Sequence, residues 1–211
     1  MARLRVPGRL ITFEGIDGSG KSTQLARLAE HLRATGEEVV VTREPGGSPG
    51  AELIRRLLVE GETGRWSAET EILLFTAARR DHLERVIEPA LAREATVLCD
   101  RFADSTRVYQ GVARADLRAV VDALHDLIIA REPDLTLILD LDPDVAVARG
   151  AARGGAETRF ERFGANFQRR LRQGFLALAA EAPDRCRVVP ADGGPEAVAA
   201  RIRAIVAEHR P

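Results

Sequence analysis

Lysine is nearly missing from this chain. Of 31 basic residues in 211, Lys21 is the single lysine and every other is arginine. The general replacement reads as arginine-favouring codon usage. A lysine kept at one position points to a local requirement there. Cysteine is scarce as well. Cys99 and Cys186 stand far apart with no CxxC spacing, which rules out a disulfide scaffold and a structural zinc site and makes the cytoplasm the expected compartment. No apolar run approaches the roughly 20 residues that span a bilayer. Residues 1–10 carry arginines but not the apolar stretch of a secretory signal, so no membrane association is expected. An excess of either charge is missing too: 31 basic against 32 acidic residues leave a net charge of −1. That balance excludes a protein built to coat nucleic acid. His31, His82, His125 and His209 have no metal-like spacing and read as surface or partly buried residues.

What is present is ordinary for a soluble globular protein: 45% hydrophobic and 30% charged residues. The length suits one domain over 1–211 with one sizeable core. Short β-like apolar runs over 10–13, 38–42, 96–99, 135–141 and 186–190 alternate with helical periodicity. Helices are expected over 21–35, 67–93, 117–130, 144–151, 159–181 and 195–208, with a short one before residue 60. Strands separated by helices imply parallel βαβ units, hence an α/β fold of three layers, α/β/α, around a five-stranded parallel sheet. Ligands bind such sheets at the carboxyl ends of the strands. The chemistry is therefore expected in the loops after Phe13, Thr42, Cys99 and Leu141.

The lone lysine lies in the first of these. Gly15-Ile16-Asp17-Gly18-Ser19-Gly20-Lys21-Ser22 matches G-x-x-x-x-G-K-[ST] between a predicted strand and a predicted helix. Glycines let backbone N–H groups converge on phosphate oxygens, and the following helix adds its N-terminal dipole. Lys21, read as an exposed loop lysine, would reach the β- and γ-phosphates, and Ser22 would ligate Mg²⁺. Thr23 completes the ATP-binding set. Asp100 closes the third predicted strand, where P-loop enzymes place a second magnesium contact. It reads also as a helix cap, and Asp140 and Asp142 are rivals for the metal.

Two classes of P-loop protein fit: a kinase with a small acceptor, and a nucleotide switch or non-catalytic ATP-binding scaffold. A guanine-reading N-K-x-D is impossible here, because the only lysine is in the P-loop. Arginines near several loop ends favour the kinase, since in-line transfer between two polyanions needs fixed positive charges. The run Phe13-Glu14-Gly15 through Thr23, then Arg43-Glu44-Pro45-Gly46-Gly47, then Asp100-Arg101 with Ser105-Thr106 and Tyr109-Gln110-Gly111, resembles the thymidylate kinase family. Leu74-Phe75 with Arg79 is similar to that family as well. The resemblance covers residues 10–206 and implies a P-loop kinase fold with a short lid.

It further implies transfer of the γ-phosphoryl group of MgATP to dTMP, giving dTDP and ADP, in a homodimer joined through the 67–93 and 117–130 regions. A kinase for another nucleoside monophosphate is the alternative within enzymes. By the resemblance, Arg43 and Arg101 clamp the acceptor phosphate, although Arg43 could also form a surface ion pair with Glu44 or Glu52. Asp17 accepts a hydrogen bond from the acceptor 3′-hydroxyl, Phe75 stacks on thymine and Arg79 donates to O4. Periodicity alone reads Phe75 as core and Arg79 as solvated. Ser105, Thr106, Tyr109 and Gln110 complete the pocket, with Tyr109 crowding the 2′ position. Glu44-Pro45 is expected to be cis. Arginine and glycine over about 149–158 suit a closing lid. Some members of the family carry the catalytic arginine in the P-loop, where this chain has Gly18. The lid is then expected to supply it as Arg153, with Arg149 near adenine and Arg159 next in line. Arg80, Arg107 and Phe175 depart from the family pattern.

Overall fold

The structure is a computed structural model. It describes residues 8–61, 64–114, 116–151 and 164–209, without the side chains of 112–114, 149–151 and 164–165. All five expected strands form: β1 (Arg9–Glu14), β2 (Val39–Arg43), β3 (Thr96–Asp100), β4 (Leu135–Asp140) and β5 (Cys186–Pro190). Every neighbouring pair is parallel, in the order β2-β3-β1-β4-β5. Parallel partners cannot be joined by tight turns, so each connection runs through helix. Here α1 (Lys21–Ala34) joins β1 to β2, and α2 (Pro49–Val59), α3 (Ala68–His82) and α4 (Glu88–Ala92) join β2 to β3. Next, α5 (Ala103–Val108) and α6 (Arg118–Leu124) lead to β4, α7 (Pro143–Ala151) and α8 (Gly164–Glu181) to β5, and α9 (Pro195–Glu208) follows β5.

Strand side chains alternate between the two faces of the sheet. Ile11, Phe13 and Leu98 join one core cluster, while Leu10, Val97 and Cys99 join the other. The central strands β1, β3 and β4 are buried along nearly their whole length because helices cover both faces, whereas the edge strands β2 and β5 are partly exposed. The chain passes from β1 outward to β2, returns to β3, then crosses β1 to β4. That change of direction leaves a crevice at the carboxyl ends of β1 and β3.

Two helices differ in detail from expectation. The 67–93 region is α3, a π-helical turn Leu83–Ile87, and α4, with the Ser67 hydroxyl capping the Thr70 N–H at 3.2 Å. The 117–130 region is α6 followed by a π-helical turn His125–Ile129. The start of the expected 159–181 helix lies outside the described residues. Sequence periodicity missed α5 and its π-helical extension Tyr109–Arg114. This segment has no apolar stripe, yet Asp104, Thr106, Arg107 and Gln110 are all buried in it. Ala103, Val108 and Tyr109 anchor it in the two core clusters, and the buried polar side chains are held by polar partners. Among the described residues no helix is long and apolar enough to cross a membrane.

Candidate active site

After Glu14 the chain turns through Gly15, Gly18 and Gly20, whose φ values of +128°, +83° and +99° only glycine adopts readily. Space is a second requirement. A Cβ on Gly15 would lie 2.6 Å from the Leu139 carbonyl oxygen, and one on Gly18 2.3 Å from that of Ala146. The loop is thus seated against β4 and α7. The Ile16 side chain joins the core and Ser19 is buried, leaving Ser22 and Thr23 exposed at the start of α1. Lys21 is not the exposed lysine expected. It is buried, and its Nζ donates to the carbonyl oxygens of Gly15 at 3.1 Å and Ile16 at 2.9 Å. Burial first, then the Arg101 cation, pushes the ammonium down to about 8, against the carboxylates of Asp17, Asp100 and Glu14.

The Ser22 hydroxyl donates to Asp100 Oδ2 at 2.6 Å, which brings the two expected metal-binding groups together. Asp140 is instead held bidentately by Arg172 at 2.6 and 2.9 Å, and Asp142 caps the Asp144 N–H at 2.9 Å. The rivals are therefore engaged elsewhere. Hard oxygen donors suit Mg²⁺, and the described residues contain no group of three or more His, Cys, Asp or Glu arranged around one point. An ion that keeps its waters and takes phosphate oxygens needs only such a partial set.

A cavity of about 270 Å³ opens beside the loop. All nine residues expected around the acceptor line it: Asp17, Arg43, Phe75, Arg79, Arg101, Ser105, Thr106, Tyr109 and Gln110. Arg101 is the link to the phosphate loop. Its φ of +72° is unusual for a non-glycine residue. The guanidinium donates to Asp17 Oδ1 at 2.5 Å, Ser105 Oγ at 3.0 Å and the Tyr109 hydroxyl at 3.2 Å, and it stacks 5.1 Å from the Tyr109 ring centre. Burial alone would raise Asp17, but Arg101 and Lys21 outweigh it and hold the carboxyl below the ordinary range. Arg79 is 4% exposed. It donates from Nε to Glu44 Oε2 at 2.7 Å and from Nη2 to Thr106 Oγ1 at 3.0 Å and the Phe102 carbonyl at 3.2 Å. No described residue accepts from its Nη1.

A sequence model of the family described as thymidylate kinase matches residues 13–202. The chain belongs to the thymidylate kinase family. A thymidylate kinase of Dinoroseobacter shibae is 68% identical over 192 residues, covering 90% of this chain and 92% of that one. One from Ruegeria pomeroyi is 62% identical over 202 residues and covers 96% of each. The crystal structure of thymidylate kinase from Ehrlichia chaffeensis is 35% identical and superposes with a TM-score of 0.78, over 95% of this chain and all of that one.

The three departures from the family pattern leave the cleft intact. Arg80 turns away from it, to Glu84 at 2.7 Å and the Ile128 carbonyl at 3.0 Å. Arg107 is taken up by Asp104 at 2.7 Å and Asp122 at 2.9 Å, with Glu132 as a third partner. Phe175 is buried edge-on against Tyr109, their ring centres 6.4 Å apart. Among the family's expected groups, Arg43 keeps its surface ion pair, 2.8 Å to Glu52, while still lining the cavity. The bland reading of Phe75 and Arg79 fails: Phe75 is half-buried in the cleft and Arg79 is buried. Arg153 and Arg159 lie outside the described residues. Arg149 falls within α7, but its side chain is not described.

Sequence reasoning missed four contributors. Arg55 lines the cavity one helix away from Arg43 and donates to the Pro45 carbonyl at 2.6 Å. Glu44 holds Arg79, and Glu44-Pro45 is cis, as the resemblance implies. His82, expected at the surface or partly buried, is fully buried and bridges Thr42 Oγ1 at 2.6 Å and Glu44 Oε1 at 3.0 Å. Glu14 is fully buried and accepts from the N–H groups of Phe102 at 2.8 Å and Ser105 at 3.2 Å and from the Ser105 hydroxyl at 2.6 Å. Burial first, then the Asp104 charge, raises its carboxyl to about 7. The signal for Glu14 and Glu44 was their place inside the matched motifs. Nothing local marks His82.

Proposed function

We propose the following division of labour for this chain, which phosphorylates dTMP at the expense of ATP. The observation that carries it is the 2.5 Å contact between Asp17, in the phosphate loop, and Arg101, in the acceptor cavity. A γ-phosphate on the loop and an acceptor phosphate on Arg101 would then be neighbours, as in-line transfer requires. Lys21, helped by the backbone of Gly15, Ile16, Gly18, Ser19 and Gly20, binds the β- and γ-phosphates. Arg101, Arg43 and Arg55 receive the acceptor phosphate. Asp17 accepts from the 3′-hydroxyl, and Tyr109 crowds the 2′ position of a ribose.

Phe75 stacks on the base, and Arg79 donates from Nη1 to O4. Ser22 and Asp100 would hold Mg²⁺, which would supply charge neutralisation for the transferring phosphate. Arg153 provides the remaining cation at the transferring group and Arg149 lies near adenine. Both belong to the lid segment of a single domain. The protein acts in the cytoplasm as a homodimer. Leu73 on α3 and Leu127 and Ile128 beyond α6 are large apolar side chains at the surface of the two regions expected to pair. Incubation with MgATP and dTMP, followed by ³¹P NMR, tests the reaction: ADP and dTDP must appear in equal amounts. ADP without dTDP would leave only an ATPase or scaffold.

A further inference from the structure

Glu71, Phe75 and Arg79 recur every four residues along α3 and share one face. Thr106 and Gln110 stand four residues apart on the facing α5 segment. Two polar rungs join the elements. Arg79 Nη2 meets Thr106 Oγ1 at 3.0 Å, and Gln110 Nε2 donates to Glu71 Oε2 at 3.2 Å. Phe75 lies between the rungs in sequence, and Phe75, Arg79 and Gln110 all line the cavity. Glu71 and Gln110 are both buried, 0% and 1% exposed.

A carboxylate accepts and has nothing to donate, so it draws the NH₂ end of the Gln110 amide toward itself. The other end, Oε1, accepts from no described residue. Arginine has donors only. The cavity therefore presents a donor at the Arg79 rung and an acceptor at the Gln110 rung. O4 and N3–H of thymine carry the opposite order and fit. The N4 amino group and bare N3 of cytosine would set donor against donor and acceptor against acceptor.

We propose that Glu71 is a positioning residue that sets pyrimidine choice, by fixing the Gln110 amide with its carbonyl oxygen toward the base. The inference rests on the assignment of Phe75, Arg79 and Gln110 to the base. Without the carboxylate, the amide turns over freely and either edge is accepted. A buried polar group left unpaired is costly, and the discrimination at stake is about 5- to 150-fold.

The test is Glu71→Gln, which keeps shape and removes the obligatory acceptor. kcat/KM is measured for dTMP and for 5-methyl-dCMP, which matches thymine in outline and reverses the edge. The preference for dTMP should shrink about 5- to 150-fold, through a higher KM for dTMP and a lower one for 5-methyl-dCMP, with KM for ATP unchanged. Equal losses on both acceptors would make Glu71 merely structural and overturn the proposal. Should the variant fail to fold, the wild-type complex with dTMP decides. There the Gln110 side-chain amide protons should exchange slowly with water and show no nuclear Overhauser contact with thymine. Fast exchange, or such contacts, would overturn it. A wild-type enzyme with no preference between the two acceptors would instead refute the base assignment itself.

Discussion

Glu44 holds Arg79 from behind. Its Oε2 accepts from Arg79 Nε at 2.7 Å, and both side chains are 4% exposed. The other carboxylate oxygen is engaged by His82 Nδ1 at 3.0 Å. The arginine proposed to read the base is thereby fixed by a buried carboxylate that is itself fixed by a buried imidazole.

Removing Arg79 leaves Glu44 as an uncompensated buried charge, a loss of about 3–5 kcal/mol. Arg79→Ala should therefore lower the melting temperature as well as activity. Arg79→Lys keeps the charge but cannot reach Glu44, Thr106 and a base edge together. It should raise KM for dTMP roughly 10- to 150-fold with little change in KM for ATP. Steady-state kinetics with each substrate varied checks this, and equal changes in both constants would make Arg79 purely structural.

The raised Glu14 carboxyl makes stability depend on pH. The folded protein holds this proton up to about 7, whereas the unfolded chain releases it near 4.5. Between those values the folded state binds more protons, so stability falls as pH rises through the window. Glu14→Gln has no such proton. Melting temperatures from pH 4.5 to 8 should show the wild type losing ground to the variant until about pH 7, then running parallel. Parallel curves throughout would contradict the raised carboxyl.

Gly18 is required twice, by its φ of +83° and by the Ala146 carbonyl 2.3 Å from any Cβ. Gly18→Ala should weaken ATP binding and lower stability by more than the roughly 1 kcal/mol of a left-handed alanine, because α7 must shift. For the same reason, moving an arginine to this position should not rescue Arg153→Ala. Isothermal titration with ATP and thermal melts measure the first effect, and turnover of the double variant the second.

Arg153→Ala should reduce kcat by about 10³–10⁵ with modest change in nucleotide Kd, whereas Arg149→Ala should chiefly weaken ATP binding. Single-turnover rates and binding titrations separate the two. The reverse pattern would move the catalytic role to Arg149, and no effect from either would move it to Arg159.

Strands and motifs were legible because their signals are local. β1 through β5 are short runs rich in apolar and β-branched residues, and the glycines at 15, 18 and 20 announce a backbone few other residues adopt. The α5 segment was not legible, since its buried Asp104 and Arg107 are satisfied by partners distant in sequence, among them Arg185 at 2.6 Å and Glu132. His82 escaped for the same reason: a buried imidazole and a surface one look alike until Thr42 and Glu44 are brought to it. Lys21 is buried where the sequence reads as an exposed loop, because only the fold turns its ammonium back onto the carbonyls of Gly15 and Ile16.

On the proposed assignment, the cavity beside the phosphate loop accepts a thymine deoxynucleotide. Initial rates of ADP formation at fixed MgATP, across dTMP, dUMP, dCMP, dAMP, dGMP, UMP, CMP and AMP, test it most directly. The highest kcat/KM is expected for dTMP, with weak turnover of the cytosine and purine acceptors. A purine or cytosine monophosphate used as well as dTMP, or ADP released at the same rate with no acceptor present, would contradict it.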